Sequence, residues 1–225
     1  MPRPRFDKLS PAKQRRILEA AAREFGAHGY EGASLNKILE EAEISKGAAY
    51  YYFDDKADLY TTTVKHYADY LMGDLSFGVE ELEGDAFWSR IADFYWQQFA
   101  ASYDKPWALA AVKSAARLSD EALAENESLA AYLEEVMGNA MTLLRHGQEA
   151  GAVRRDLPDD LLLSLFIAVD DAGDRWLLAH WDDLTHEELE ATVRKMADAM
   201  RRLLAPAPAE EAPAGTAIEV SHDRG

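Results

Sequence analysis

At 225 residues, nearly half of them hydrophobic, the chain is long enough for one or two domains with a sizeable core. It has no cysteine, which excludes a disulfide framework, thiolate metal sites and a cysteine nucleophile. Its formal net charge of −17 taken alone argues against nucleic acid, yet residues 1–60 hold ten Lys+Arg and ten Asp+Glu while the other 165 hold 14 and 31.

Strand alternation is weak throughout, and the chain reads all-α. The first helix is predicted to start at Ser10, an N-cap followed by Pro11 at the first helical position. Ile17, Ala21 and Phe25, with Leu18 and Ala22 beside them, form one apolar stripe. Gly29 and Gly32 are stop signals. Ser34 caps a short second helix with Leu35, Ile38, Leu39 and Ala42 inward, and Ser45 caps a third from Lys46 to about Phe53. A longer fourth helix covers residues 53–75. Later helices are predicted at about 85–104, 106–117, 119–148, 158–181 and 186–204, followed by a Pro/Ala/Glu-rich tail expected to be disordered.

Two short helices joined by a tight turn and packed on a longer first helix describe a helix-turn-helix, whose second short helix enters the DNA major groove. On a wheel of residues 46–53, Ala49 and Phe53 point to the core. Gly47, Ala48, Tyr50 and Tyr51 point away, with Lys46 and Tyr52 on the flanks. Small residues let the backbone approach the groove floor, Ala48 can meet a thymine methyl, and the tyrosines can donate to phosphate. Lys46 suits phosphate or a guanine edge, Lys56 suits phosphate, and Ser34 brings a hydroxyl and helix-end amides to the backbone. The first 16 residues add a basic tip, six cationic side chains against Asp7.

The run RRILEAAAREFGAHGYEGASLNKILEEAEISKGAAYYYFDDKADLY resembles the DNA-binding domain of TetR-type (tetracycline-repressor-like) transcriptional regulators over roughly residues 13–60. The resemblance implies an all-α homodimer with two parts. An N-terminal three-helix helix-turn-helix domain binds a pseudo-palindromic operator in double-stranded DNA. A larger helical domain dimerises and binds a small-molecule effector that releases the DNA, most often from a repressor. It maps DNA contacts onto Ser34, Lys46, Gly47, Ala48, Tyr50, Tyr51, Tyr52 and Lys56. The chain departs from the family pattern at Glu43 (usually Gly), Leu39 (usually Ala), Ala48 and Ala49 (usually Thr-Leu) and Tyr52 (usually His). Because a glutamate at positive φ is costly, the turn at Glu43 is expected to use another geometry. Domain boundaries are placed at 1–58 for the basic arm and helix-turn-helix, 59–204 for ligand binding and dimerisation, and 205–225 for the tail.

In the acidic remainder, DAFWSRIADFYWQQFAASYDKPW is the densest aromatic stretch. Plain helix packing is the simplest account of it. A ligand pocket between helices would draw on Trp88, Asp93, Tyr95, Trp96, Phe99 and Trp107, and aromatics beside a carboxylate would favour a lipophilic cation. Leu162, Leu165, Val169, Gly173, Trp176 and His180 recur at helical spacing and resemble, with the last helix, the family's two-helix dimer face. Asp170, Asp171 and Asp174 interrupt that apolar run and need water or partners, for which Arg175 is the nearby candidate.

No nucleophile-elbow, P-loop, Rossmann or metal-ligating spacing is present, so neither an enzyme, a cofactor nor a metal is expected. The N-terminus lacks the apolar core of a signal peptide, and no apolar run reaches about 18 residues, so a soluble, cytoplasmic protein with no membrane partner is expected. The alternative function is a helical small-molecule-binding or scaffold protein with a degenerate helix-turn-helix. For the regulator, ligand-driven movement of the helix over 55–75 is expected to change the separation of the two recognition helices.

Overall fold

The computed structural model describes residues 2, 4–72, 82–124 and 126–207, and among them every regular element is helical. The tail expectation falls, from residue 208 on, outside these residues, as does the end of the fourth helix beyond 72.

Helix α1 (Pro11–Gly32) begins behind Ser10 with proline in its first turn, where a missing N–H costs nothing. Its stripe of Ile17, Leu18, Ala21, Ala22 and Phe25 is buried. Enclosing a side chain such as Phe25 contributes about 1.5–3 kcal/mol. At Gly29 the backbone turns to φ 68°, ψ 179°, which breaks the helical path before its nominal end. Helices α2 (Leu35–Glu41) and α3 (Lys46–Tyr52) follow, each started by a serine whose hydroxyl accepts from the amide three residues on: Lys37 for Ser34, Ala48 for Ser45. Helix α4 (Lys56–Met72) starts three residues later than expected, because Asp55 accepts from the Asp58 amide at 2.8 Å and sets the entry there. The proposed boundary at 58/59 therefore lies in the first turn of α4.

Helices α5 (Gly84–Ala101), α6 (Pro106–Ser114), α7 (Asp120–Ala124), α8 (Glu127–Glu149), α9 (Asp159–Ala179) and α10 (His186–Leu204) complete the chain. The single helix predicted over 119–148 is in fact α7 and α8, because Asn126 leaves helical geometry and caps α8 by accepting from the Leu129 amide. The helix predicted to 117 ends at Ser114 and continues as a 3₁₀ turn over Ala115–Arg117. Helix α10 opens with a reciprocal capping box between Thr185 and Glu188.

Two packings position the functional regions. Helix α1 lies along α6 and α4, with Phe25 edge-on to Tyr60, whose hydroxyl bonds Ser114 of α6 at 2.8 Å. Helix α10 packs on α5 and α9, while α8 closes against α4 and α9. No helix among the described residues is long and apolar enough to cross a membrane.

Candidate nucleic-acid interface and ligand cavity

Helix α3 is bolted to the core by Ala49 and, just past its end, Phe53, which are 5% and 3% exposed. Its outer surface carries Lys46, Gly47, half-buried Ala48, Tyr50 and Tyr51. The two tyrosines are 44% and 49% exposed, large rings left half open to solvent. Ser34 is half-buried with its hydroxyl engaged as a cap. Lys56, also half-buried, donates to the Glu31 carbonyl at 3.2 Å and sits over the Tyr30 ring, and burial is the main cause that lowers its pKa.

Tyr52 does not stand with the others. It is 8% exposed, edge-on to the Phe6 ring, and its hydroxyl accepts from Lys13 at 3.5 Å. The expectation that it faces DNA is corrected, and the cause is the N-terminal arm. Phe6 is 4% exposed, 4.9 Å from the Phe53 ring, with its carbonyl held by Gln14. That anchor lays Arg5 over Tyr51, its guanidinium 4.2 Å from the ring centroid. Sequence reasoning noted the basic tip but not that an apolar residue inside it pins a cation onto the exposed face of α3.

The turn between α2 and α3 also differs from expectation. Glu43 does adopt positive φ, at 52°, and its carboxylate pairs with Arg16. The left-handed conformation costs a non-glycine residue about 1–2 kcal/mol, while an exposed ion pair contributes at most about 1 kcal/mol. Glu43→Gly is therefore expected to raise the melting temperature by roughly 2–4 °C per kcal/mol recovered, as scanning calorimetry would record. A fall instead would mean that the Arg16 pair dominates the turn.

Between α4, α5, α6, α8 and α9 lies a cavity of about 530 Å³. Trp88, Ile91, Tyr95 and Gln98 of α5 line it, at the spacing of one helix face. Of the six expected pocket residues only Trp88 and Tyr95 do so. Asp93 pairs with Arg194 at 3.1 Å on the outer side. Trp96 meets the His186 ring, Phe99 stacks on Trp181, and Trp107 lies between Tyr67 and the Arg23 guanidinium. The aromatic stretch thus serves two faces of α5, and the face toward α10 is ordinary packing.

A buried ionic cluster at the cavity wall was not foreseen. Lys113 of α6 lies 2.6 Å from an Asp174 oxygen and 3.3 Å from Asp170 Oδ2, and the Tyr95 hydroxyl donates to Asp170 Oδ1 at 2.6 Å. Asp174 is 1% exposed and its Oδ1 has no hydrogen-bond partner. Burial pushes the Asp174 carboxyl up to about 6 despite the Lys113 charge. Burial pulls Lys113 down, but the two carboxylates outweigh it and hold it above its ordinary value. Burial and the Asp170 charge keep the Tyr95 phenol well above its usual range. Arg175, the partner expected for this aspartate run, pairs with Asp171 at 3.2 Å and, among the described residues, with neither Asp170 nor Asp174.

The expected dimer positions separate. Leu162 is fully buried inside the protomer, so its assignment to an outer face is corrected. Gly173 gives room to Met196 of α10, also within the protomer. Leu165, Val169 and His180 are half-buried, and Trp176 is 47% exposed with His180 stacked on it, rings 4.3 Å apart. The outward apolar row runs through Leu161, Leu165, Ala168, Ala172 and Trp176, one residue out of step with the expected start.

Residues 17–62 match the family of bacterial regulatory proteins designated tetR. The chain is 28% identical to the HTH-type transcriptional repressor SCO4008 of Streptomyces coelicolor, over 70% of this chain and 76% of that protein. It is 43% identical over 54 residues to the HTH-type transcriptional repressor AcnR of Corynebacterium glutamicum, a match that spans only 28% of that protein. Among solved structures, the transcriptional regulator FadR of Bacillus subtilis in complex with stearoyl-CoA superposes with a TM-score of 0.63 at 17% identity, over 82% of this chain and 96% of that one. At that identity the likeness is one of fold.

Proposed function

We propose that this chain, a TetR-type regulator, binds operator DNA as a homodimer through α3, represses transcription, and is released by a small molecule held between α4, α5, α6, α8 and α9. The observation that carries the proposal is the outer face of α3. A helix of seven residues is fixed by one serine cap and two core residues, and it offers a cation, two small residues and two exposed phenols in place of any apolar partner surface. On this account residues 1–58 form the DNA-binding unit and 59–204 the ligand and dimer unit. Lys46 and the amides at the start of α3 meet phosphate or a guanine edge. Gly47 and Ala48 admit the backbone to the groove, and Tyr50 and Tyr51 grip the flanking strand. Ser34 and Lys56 add backbone contacts. The row from Leu161 to Trp176 on α9, with α10 beside it, supplies the twofold face.

The layout offers a route for release. Helix α6 contributes Lys113 to the cavity and lies along α1, while α4 lines the cavity with Ala68 and begins directly after α3. A ligand that shifts α4 or α6 in one protomer alters where α3 stands relative to its twofold mate, whose spacing must match one turn of DNA or a multiple, about 34–36 Å per turn.

The test is selection of bound sequences from a random DNA pool, followed by titration of the selected site. Arg5→Ala is expected to weaken binding by about five- to tenfold and to lower the salt slope by about one per arm, since it removes one cation from the interface. Unchanged affinity and slope would leave the arm as a cover for α3 and nothing more.

A further inference from the structure

The cavity tells more about its ligand than that one exists. Its walls are apolar and aromatic, with Phe87, Trp88, Phe94, Leu143, Leu163 and Phe166 among them. Its volume of about 530 Å³ suits one drug-sized organic molecule. Its charges are one-sided. Three carboxylates line it: Asp170 deep on α9, Asp69 on α4 and Glu135 on α8, the last two exposed. Lys113 is the lysine that lines it, and its ammonium already faces two carboxylates, at 2.6 and 3.3 Å. His146, the histidine on the wall, lies 3.9 Å from Glu149. Lys65 sits over the Tyr132 ring near the acidic end but does not line the cavity.

An anionic head group entering here would have to displace Asp170 or Asp174 from Lys113 and leave a carboxylate buried without its counter-ion, which is a heavy cost. A cation meets the opposite situation. The Lys113–Asp170–Asp174 cluster holds two carboxylates against one ammonium, so one further positive charge completes it. Asp170 is the member that opens on the cavity, and two hydrogen bonds, from Tyr95 and Lys113, leave it lone pairs to spare. The aromatic rings around it attract a cation through their faces.

We infer that the cavity binds a hydrophobic organic cation, its charge held by Asp170 beside Tyr95 and its apolar body against Phe87, Trp88, Phe94 and Phe166. The inference rests on the ligand-responsive reading above and names the ligand's charge class. The raised carboxyl of Asp174 fits the same charge imbalance.

Tetraphenylphosphonium and tetraphenylborate have nearly the same size and shape and opposite charge, which makes them the probe pair. Each is titrated into the full-length protein without DNA and followed by calorimetry and by tryptophan fluorescence, to which Trp88 on the wall contributes. The phosphonium is expected to bind at least about tenfold more tightly than the borate, a difference of about 1.4 kcal/mol. Asp170→Asn is expected to remove most of that preference, and Glu135→Gln, at an exposed position, to weaken the phosphonium by about two- to threefold. Equal or tighter binding of the borate overturns the inference, as does no saturable binding of the phosphonium up to about 1 mM. Tighter binding of stearoyl-CoA than of the phosphonium does the same. If Asp170→Asn does not fold, the comparison on the unaltered chain and the Glu135 variant still decide. A protein that binds the phosphonium but selects no DNA refutes the regulator and leaves the cavity's charge class standing. One that selects DNA but prefers the borate refutes only the charge class.

Discussion

Lys113→Met is expected to cost about 3–5 kcal/mol of folding stability near pH 7.5, the penalty for leaving buried carboxylates without their cation. The side chain is 15% exposed, Asp174 is 2% exposed at its side chain, and among the described residues no other cation lies within ion-pair distance of Asp170 or Asp174. The loss should depend on pH, with a definite sign. The Asp174 carboxyl titrates at about 6 in the folded protein, above its ordinary value of 3.8, mainly because it is buried. Such a group takes up its proton in the native state before the unfolded chain does. Stability is therefore gained as pH falls through the folded pKa and lost as pH rises through it. Removing Lys113, which pulls that carboxyl down, moves the transition to higher pH and deepens it. Urea unfolding at about pH 5 and pH 7.5 should show most of the deficit only at the higher value. Adding Asp174→Asn to the variant should restore part of it. A deficit that is the same at both values, or below about 1 kcal/mol, would show that water rather than Lys113 balances these aspartates.

Gly26→Ala is the second large effect expected. A Cβ placed there meets the Trp107 carbonyl oxygen at 2.8 Å, Ala110 Cβ at 3.1 Å and the Ala111 nitrogen at 3.2 Å. Two of the three are backbone atoms of α6, which no rotamer change can move. Helices α1 and α6 would have to separate, at a cost of about 1–3 kcal/mol, or a fall of several degrees in melting temperature. Gly138→Ala on the exposed side of α8 is the control, because a Cβ there meets nothing within 4 Å and alanine is the better helix former by roughly 1 kcal/mol. It should hold or raise the melting temperature. The separation matters beyond stability, since α6 bears Lys113 and α1 carries the core under α3. A Gly26→Ala protein that stays folded should also bind DNA and ligand with weaker mutual influence. If it melts like the unaltered chain, α1 and α6 are not as rigidly joined as their contact implies.

Much of the N-terminal part was legible because its signals are local. Ser10–Pro11, Ser34 and Ser45 mark helix starts by a mechanism that needs only the next three residues, and the wheel placed Ala49 and Phe53 correctly in the core. Tyr52 was misplaced because what buries it, Phe6, is more than forty residues away and in a segment with no periodicity. Glu43 shows the reverse override: local preference opposed positive φ, and the packing of α2 against α3 imposed it. In the acidic part the helices were legible and their faces were not. Helix α5 is apolar on two sides, and periodicity cannot say which side meets α10 and which meets a cavity. On α9 a shift of one residue turns a side chain by about 100°, so Leu162 went to the core and Leu161 to the surface. Lys113 carried one usable signal, a lone lysine in an apolar run, which gains meaning only beside the unexplained aspartates of α9.

The central claim is that α3 reads DNA. Its most direct test is a mobility-shift titration of the full-length chain on DNA selected from a random pool, with Lys46→Ala and Tyr51→Ala alongside. The expected result is a pseudo-palindromic site whose half-sites lie one turn or a multiple apart, bound at least about tenfold more weakly by each variant. No enrichment at any salt concentration, or an enriched site bound equally well by both variants, would contradict the claim and leave a helical ligand-binding protein with an unused helix-turn-helix.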